Sequence, residues 1–225
     1  MSRSAALCSK TALAYGCDTT YIYMYQDLDT DFKQRNAEIL AQKRGAGYWI
    51  WKPQIILQEM AKAQPGDIVI YTDAGVEFIN SVNHLICSMD EWYMLFGGQY
   101  RHFDWCKGDC LPDNAFKEER QLQASVIIFK KCHKAKFIIC EWLNMCEEPG
   151  SIDDSPTVLF PNDPGFQEHR HDQAILTSLQ LSYRMKSHYW PACYLDGKFN
   201  YPKLNHTDTY PIIFHHHRKR NNEWI

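Results

Sequence analysis

Apolar positions along the chain change between helical spacing and short runs that favour strands. Helical spacing, with capping residues or Pro and Gly near the ends, predicts helices over residues 3–15, 29–41, 54–63, 135–146 and 171–181. Runs of β-branched and aromatic residues predict strands over residues 20–25, 68–71 and 124–129. Because the run at 68–71 is short and uninterrupted, we expect it to be a strand that is buried on both faces.

The order of these elements predicts a single α/β domain. A strand, a helix and a second strand follow one another early in the chain, which favours a mainly parallel central sheet flanked by helices. A loop rich in Pro and Asp spans residues 147–165, and the irregular tail from residue 183 is expected to wrap around the domain. A chain of 225 residues can bury about 70% of its unfolded surface.

Composition and charge exclude several classes of protein. With 45% hydrophobic and 23% charged residues, the chain is neither disordered nor fibrous. The net charge of −3 gives no reason to expect a nucleic-acid partner. No stretch approaches the roughly 18 apolar residues of a transmembrane helix, and the start reads as an amphipathic helix, not a secretion signal. Nine cysteines, an odd number, then favour reduced thiols and a cytoplasmic protein.

An acidic residue, Asp73, follows the apolar run at 68–71. The carboxyl ends of parallel strands are where α/β sheets bind ligands. A carboxylate at this place can hold a divalent cation or a ribose hydroxyl, and Gly75 would let a diphosphate approach the backbone. The alternative is a turn in which Asp73 caps the next segment, and position alone leaves the two interpretations even.

The segment 44–53 combines cations, glycines and aromatic rings. Arg44 and Lys52 could clamp a diphosphate, and the aromatic side chains between them could stack on a base or a sugar. The alternative is a glycine loop followed by buried Trp, with both cations in solvent. The segment alone favours this alternative, but it leads directly into the helix that precedes Asp73.

Titratable residues also open the last predicted helix and fill the tail. His171, Asp172 and Gln173 could orient a sugar hydroxyl, take a proton or stabilise charge, although an N-cap aspartate is the simpler interpretation. One histidine of the run 215–217 could complete a metal site with Asp73, whereas the basic run 218–220 is by default solvated. The motifs typical of ATPases, dehydrogenases, serine hydrolases and metalloproteases are absent.

Four separated motifs, in this order, resemble a family of small GT-A-type glycosyltransferases. They are RGAGYWIWKP at 44–53, GDIVIYTDAG at 66–75, DSP at 154–156 and GFQEHRHDQ at 165–173. Family members occur in bacterial surface-polysaccharide gene clusters and in large DNA viruses of algae. The resemblance covers roughly residues 15–185. It implies a Rossmann-like, mainly parallel GT-A sheet in one domain, with a nucleotide-sugar half at about 1–80 and an acceptor half at about 81–225.

The resemblance also implies a reaction and a set of site residues. A sugar such as glucose or rhamnose would pass from a UDP-sugar to a glycan or glycoprotein acceptor, with Mn²⁺ or else Mg²⁺ as cofactor. For a viral source, this would take place in the host cytoplasm. The catalytic residues expected are Asp172, Gln173 and His171. The nucleotide-sugar-binding residues expected are Asp73, Ala74, Gly75, Arg44, Trp51, Lys52, Gln123 and Ala124, and the metal ligands expected are Asp73 and His215.

Two departures from the family pattern keep a second function open. Gly75 stands where the third position of the DxD motif is usually acidic, and the chain begins in the helix that follows the usual first strand. A catalytically degenerate module that binds a nucleotide sugar or glycan is therefore the alternative to an enzyme. A nucleotidyltransferase would need a basic, glycine-rich loop after its first strand, which is absent. Within the main hypothesis, retention of the anomeric configuration is slightly favoured.

Overall fold

The computed structural model of the chain describes residues 2–194, 199–200 and 207–217. Its helices are α1 (Arg3–Ala14), α2 (Thr30–Arg35), α3 (Ala37–Leu40), α4 (Gly45–Tyr48), α5 (Trp51–Lys62), α6 (Asn83–Cys87), α7 (His133–Glu147) and α8 (His171–Ser182). Its strands are β1 (Ile68–Thr72), β2 (Val76–Phe78), β3 (Tyr93–Arg101), β4 (Arg120–Lys130), β5 (Ala192–Tyr194), β6 (Phe199–Asn200) and β7 (Phe214–His216). The expectation of a single α/β domain is confirmed.

The predicted helices are present, and one of them is broken. The Asp29 carboxylate accepts a hydrogen bond from the Phe32 backbone N–H (2.9 Å), so it caps α2 as expected. Asn36 interrupts the helix predicted over 29–41, because its φ of −108° lies outside helical geometry. Its side-chain amide donates to the Phe32 carbonyl (3.1 Å) and to Glu147 (2.6 Å). These side-chain bonds compete with the helical pattern and separate α2 from α3.

The first sheet has the strand order β1–β4–β3, and both pairings are antiparallel. The expected mainly parallel sheet is therefore wrong. The strand predicted over 20–25 is also wrong, because this segment pairs with no strand and ends in a 3-10 turn at Tyr25–Asp27. Without it, the strand–helix–strand unit that would produce a parallel sheet is missing, and β1 pairs instead with the returning strand β4.

The position of β1 at the edge of this sheet also changes its burial. Residues 68–70 are half-buried, and only Tyr71 in the predicted run is buried. The central strand β4 is the one that is buried on both faces. Ile127 and Phe129 face a core formed with α5, α7 and α8, whereas Val126 and Ile128 face a second core. Side chains that alternate across a strand supply both cores from one element.

A second sheet, with the strand order β2–β7–β5–β6, covers the other face. Its β5–β7 pairing is parallel and its other pairings are antiparallel. Trp190 and Phe214, both fully buried, pack between this sheet and the first. Part of the tail that was expected to be irregular is therefore sheet. Strands of two or three residues are too short to produce a readable alternation, so the sequence does not reveal them.

Two further expectations concern membrane segments and thiols. No helix in the described part of the chain is long and apolar enough to cross a membrane. All nine cysteine thiols are free in the structure.

Candidate active site

The sequence motifs meet in a cleft at the carboxyl end of β1, between the start of α5 and the start of α8. The cleft is lined by Arg44, Trp49, Lys52, Asp73, Ser125, Arg170, His171, Asp172 and Gln173. Asp73 directly follows β1, and its backbone N–H donates to the Ser125 carbonyl of β4 (2.8 Å). The Tyr71 hydroxyl donates to Asp73 Oδ1 (2.6 Å). These two bonds fix the Asp73 carboxylate at the end of the sheet.

Helix α8 brings the second carboxylate to the cleft. Asp172 lies in the first turn of α8, and only 3% of it is exposed, because the helix packs against β4 and α7. The Trp142 indole N–H donates to the Asp172 backbone carbonyl (3.0 Å). The Gln173 side chain donates to Gln121 Oε1 on β4 (2.7 Å). The start of α8 is therefore held from two sides.

The Lys52 ammonium joins these two acids. Its Nζ lies 3.1 Å from Asp172 Oδ2 and 3.4 Å from Asp73 Oδ1, and it donates to the Ala124 carbonyl at 3.2 Å. Only 4% of Lys52 is exposed. The ammonium group therefore has one hydrogen-bonded carbonyl and two carboxylates within 3.4 Å. We call Lys52, Asp73 and Asp172 the cleft floor.

Burial and charge act in opposite directions on the cleft floor. Burial raises the pKa of Asp172 to about 6, although the Lys52 ammonium opposes the increase. Burial lowers the pKa of Lys52, but Asp172 and then Asp73 more than offset this effect, and the pKa is raised. Burial and the neighbouring Asp73 raise the pKa of Tyr71 far above its usual value. Near pH 7 the Lys52 ammonium and the Asp172 carboxylate are therefore both charged.

A left-handed turn positions the entrance to α5. All five residues from Gly45 to Trp49 have positive φ, between 49° and 97°. A Cβ on Gly45 would come within 2.4 Å of the Trp49 ring, and one on Gly47 within 2.9 Å of the Leu40 backbone, so both positions need glycine. The turn directs the Trp49 indole into the cleft. Non-glycine residues in this region cost about 1–2 kcal/mol each, so the surrounding contacts must stabilise the turn.

His171 supplies one of those contacts and is itself strained. It begins α8 with a φ of 49°, and its Nδ1–H donates to the Ile152 carbonyl (2.7 Å). Its ring lies 4.8 Å from the Tyr48 ring and 5.6 Å from the Trp49 ring, measured between centroids. Burial lowers the pKa of His171. Backbone strain in two segments therefore meets at the cleft, as is common at functional sites.

The mouth of the cleft has two half-exposed arginines. Arg44 lies 3.4 Å from both Asp154 and Glu168, and Arg170 lies 3.0 Å from the other oxygen of Glu168. The Arg170 guanidinium also stacks 4.3 Å from the Trp105 ring centroid. All four charged side chains are between 40% and 47% exposed. We call these four residues, Arg44, Asp154, Glu168 and Arg170, the cleft rim.

Other residues expected at the site lie around the cleft or away from it. Trp51 donates its indole N–H to the Gly45 carbonyl (3.0 Å) and so supports the left-handed turn. Ala74 is exposed at the tip of the β1–β2 turn. A Cβ on Gly75 would contact the His216 ring at 3.5 Å, so this glycine faces β7. Gln123 lies beside Gly98 on the neighbouring strand, and Ala124 contributes its carbonyl to Lys52.

Three cleft residues, Trp49, Ser125 and Arg170, belong to segments expected at the site but were not among the site residues predicted individually. Trp49 lies two residues from Trp51, and only the left-handed turn decides which of the two indoles enters the cleft. Ser125 and Arg170 are adjacent to expected residues, so the motifs identified the right segments. Side-chain direction within those segments depends on the backbone path.

The residues present offer an incomplete set of metal ligands. His215 pairs with Glu77 on the adjacent strand, with Nδ1 and Oε2 3.3 Å apart, so both side chains are engaged in the second sheet. No group of three His, Cys, Asp or Glu side chains suited to a metal ion occurs among the described residues. Asp73 remains a possible single ligand, and a cation there would need donor phosphates to complete its coordination. The basic run 218–220 lies outside the described residues.

Comparison with known proteins supports the fold assignment. No known family profile matches the sequence, and no curated protein matches it. The structure is similar to that of WbbM, a bifunctional glycosyltransferase in its apo form, with a TM-score of 0.50 and 12% sequence identity. The similarity covers 97% of this chain and 44% of the WbbM chain, so the chain spans less than half of that protein. At this identity, the comparison establishes a shared fold.

Proposed function

We propose that the protein is a glycosyltransferase that moves a sugar from a nucleotide diphosphate donor, UDP-linked in the first instance, to a glycan acceptor. The observation that carries this proposal is the cleft floor, a buried lysine between a buried and a half-buried carboxylate, with two half-exposed arginines at the rim. The fold shared with part of a glycosyltransferase supports it. A hexose or deoxyhexose such as glucose or rhamnose is the sugar proposed, and a surface or capsid glycan the acceptor.

The roles proposed for the residues follow from their environments. The leaving group in such a reaction is a diphosphate, whose charge must be matched by fixed cations or donors. The rim arginines supply guanidinium groups for this purpose. Asp172, buried beside Gln173 and His171, would bind hydroxyls of the reacting sugar and stabilise positive charge at its anomeric carbon. These three residues keep the catalytic roles expected from the sequence.

Retention of the anomeric configuration is the outcome that we propose. The Asp172 carboxylate lies 3.1 Å from the Lys52 ammonium, so an acceptor hydroxyl would have to compete with Lys52 for it. The departing phosphate can take the proton of that hydroxyl instead. A manganese ion, or magnesium in its place, would be held by Asp73 together with the donor diphosphate and would supply further positive charge at the leaving group.

A thermal-shift panel of nucleotide sugars, with and without Mn²⁺, tests the proposal first. A ligand at one hundred times its Kd stabilises a fold by about 2.7 kcal/mol, which is a measurable change in Tm. We expect one UDP-sugar to raise Tm in the wild type and Asp73→Ala to abolish the shift. Asp90→Ala is the control, because Asp90 is exposed outside the cleft.

Product analysis separates an enzyme from a binding module. The donor that raises Tm is incubated with the protein, and release of UDP is followed by mass spectrometry. Release above the background of Asp172→Asn supports catalysis, and the anomeric configuration of the transferred sugar tests retention. Binding without any release would favour the degenerate module. The absence of a shift with every donor would contradict the proposal.

A further inference from the structure

The charged groups of the cleft divide into two sets with different bonding. Lys52 is buried; its ammonium group forms ion pairs with Asp73 and Asp172 and donates a hydrogen bond to the Ala124 carbonyl. Arg44 and Arg170 are each 41% exposed, and their partners are themselves about half exposed. A buried ammonium group that is already paired with two carboxylates is less available to a phosphate than a half-exposed guanidinium group.

We propose that Lys52 is a positioning residue that holds the carboxylates of Asp73 and Asp172 in a fixed arrangement, and that Arg44 and Arg170 bind the donor diphosphate. This inference rests on the proposed function. It gives Lys52 a different role from the phosphate contact expected from the sequence, and it assigns Arg170 to donor binding.

The geometry of Lys52 fits a positioning role. It extends from α5 and reaches a carboxylate at the end of β1, a carboxylate at the start of α8 and a backbone carbonyl of β4. It is therefore a point where four elements are tied together at the site. Removing the ammonium would leave two buried or half-buried carboxylates near each other without the charge that holds them, and they would separate. Misplacement of reacting groups lowers the rate more than it lowers ground-state binding.

The geometry of the arginines fits recognition of a diphosphate. Each guanidinium carries five N–H donors in a planar fork that matches phosphate oxygens. Their bonds to Asp154 and Glu168 are 3.0–3.4 Å long and partly exposed, so solvent weakens them. Glu168 contacts both arginines through separate oxygens and so keeps them side by side. A diphosphate can replace these carboxylates at little cost.

Two measurements on matched variants test whether Lys52 positions the acids while the two arginines bind the diphosphate. The affinity for UDP and for the active UDP-sugar is measured by titration calorimetry, and the rate of donor hydrolysis is measured at saturating donor. For Lys52→Met we expect a donor Kd within about threefold of wild type and a kcat lower by about a hundredfold. For Arg44→Met and Arg170→Met we expect a donor Kd about tenfold higher, with a loss of kcat well below that of Lys52→Met. Lys62→Met, at the exposed end of the same helix, is the control.

Opposite results overturn the inference. If Lys52→Met raises the donor Kd tenfold while both arginine variants leave it unchanged, then Lys52 binds the diphosphate, and the proposed function stands without this inference. If the wild type binds neither UDP nor any UDP-sugar, the result contradicts both the proposed function and this inference. Should Lys52→Met not fold, the double variant Lys52→Met/Asp172→Asn leaves less unpaired charge for the binding measurement. An unchanged donor Kd in both arginine variants then overturns the inference by itself.

Discussion

The cleft floor and the cleft rim use charge in opposite ways. In the floor, Lys52 and Asp172 are almost completely buried, and the lysine pairs with two carboxylates and one backbone carbonyl. In the rim, the charged side chains are nearly half exposed and their contacts are long. Buried charges that are paired with one another hold a geometry, whereas exposed charges with weak contacts can exchange partners. Charged residues therefore position reacting groups in the cleft floor and attract a ligand at the cleft rim.

The largest predicted change is a loss of kcat when an acid of the cleft floor is replaced. Replacing Asp172 with Asn removes a buried carboxylate beside Lys52 and should lower kcat by about 10²- to 10³-fold. Asp154→Asn, which changes a rim carboxylate in the same way, should alter kcat by less than about threefold. Donor turnover at saturating donor measures both variants. Equal losses in the two variants would remove the distinction between floor and rim.

The next largest predicted change is a loss of stability in the left-handed turn, which joins the cleft rim to the cleft floor. Gly47→Ala adds a Cβ that would lie 2.9 Å from the Leu40 backbone, at a φ of 97°. We expect it to lower the free energy of unfolding by about 3 kcal/mol, from strain and overpacking together. Gly66→Ala is the matched control, because its φ is 94° and its Cβ would meet nothing within 4 Å. It should cost about 1 kcal/mol. Denaturant unfolding of both variants gives the comparison, and equal losses would mean that crowding at Gly47 has no effect.

A smaller change is predicted in the dependence of kcat on pH, and the pKa of Asp172 gives its direction. Burial holds the pKa of Asp172 at about 6, above its usual value, while Lys52 opposes the increase and Asp73 and Tyr71 lie nearby. Below pH 6 the carboxylate takes a proton, so kcat should fall about tenfold for each further pH unit.

Stability should change in the opposite direction to activity. The folded state holds the Asp172 proton to a higher pH than the unfolded state does. The contribution of this group to the free energy of unfolding is therefore present below pH 4 and is lost as pH rises to 6. Unfolding measured across this range should lose that component in Asp172→Asn. An identical pH profile in the variant would contradict the assignment.

The smallest effect should appear at the rim. Glu168→Gln removes a negative charge that competes with a diphosphate for both arginines. Since exposed ion pairs are worth about 0.2–1 kcal/mol, the Kd for UDP should decrease by about two- to fivefold. Glu91→Gln, exposed and outside the cleft, is the control. Weaker binding of UDP by Glu168→Gln would mean that the carboxylate organises the arginines more than it competes with the ligand.

Local features of the fold could be predicted from the sequence, whereas strand pairing could not. Helices such as α1, α5 and α7 follow from the apolar spacing of their own residues, which is local information. The antiparallel pairing of β1 with β4 joins residues far apart in the chain, so no local pattern specifies its direction. The segment 20–25 has the composition of a strand, yet it pairs with none, because a strand needs a partner as well as a propensity.

The candidate site could be predicted by segment but not by side-chain direction. Lys52, Asp73 and Asp172 were expected from the order of the motifs, and the fold brings them within one cleft. That Lys52 would lie buried between two acids depends on the angle at which α5 meets β1, which no motif encodes. Trp49 entered the cleft in place of Trp51 because of five residues with positive φ, of which the sequence reveals only two glycines.

The ion pair between Lys52 and Asp172 also has a consequence for the time at which the protein acquires its site. During synthesis, Lys52 and Asp73 emerge from the ribosome together with β1, long before α8 exists. Contacts between distant parts of a chain form late, because the entropy of closing a long loop is lost before the contacts can stabilise the fold. The nascent chain therefore carries an unfinished cleft until α8 docks. Assembly of the cleft floor then coincides with completion of the core between α7, α8 and β4.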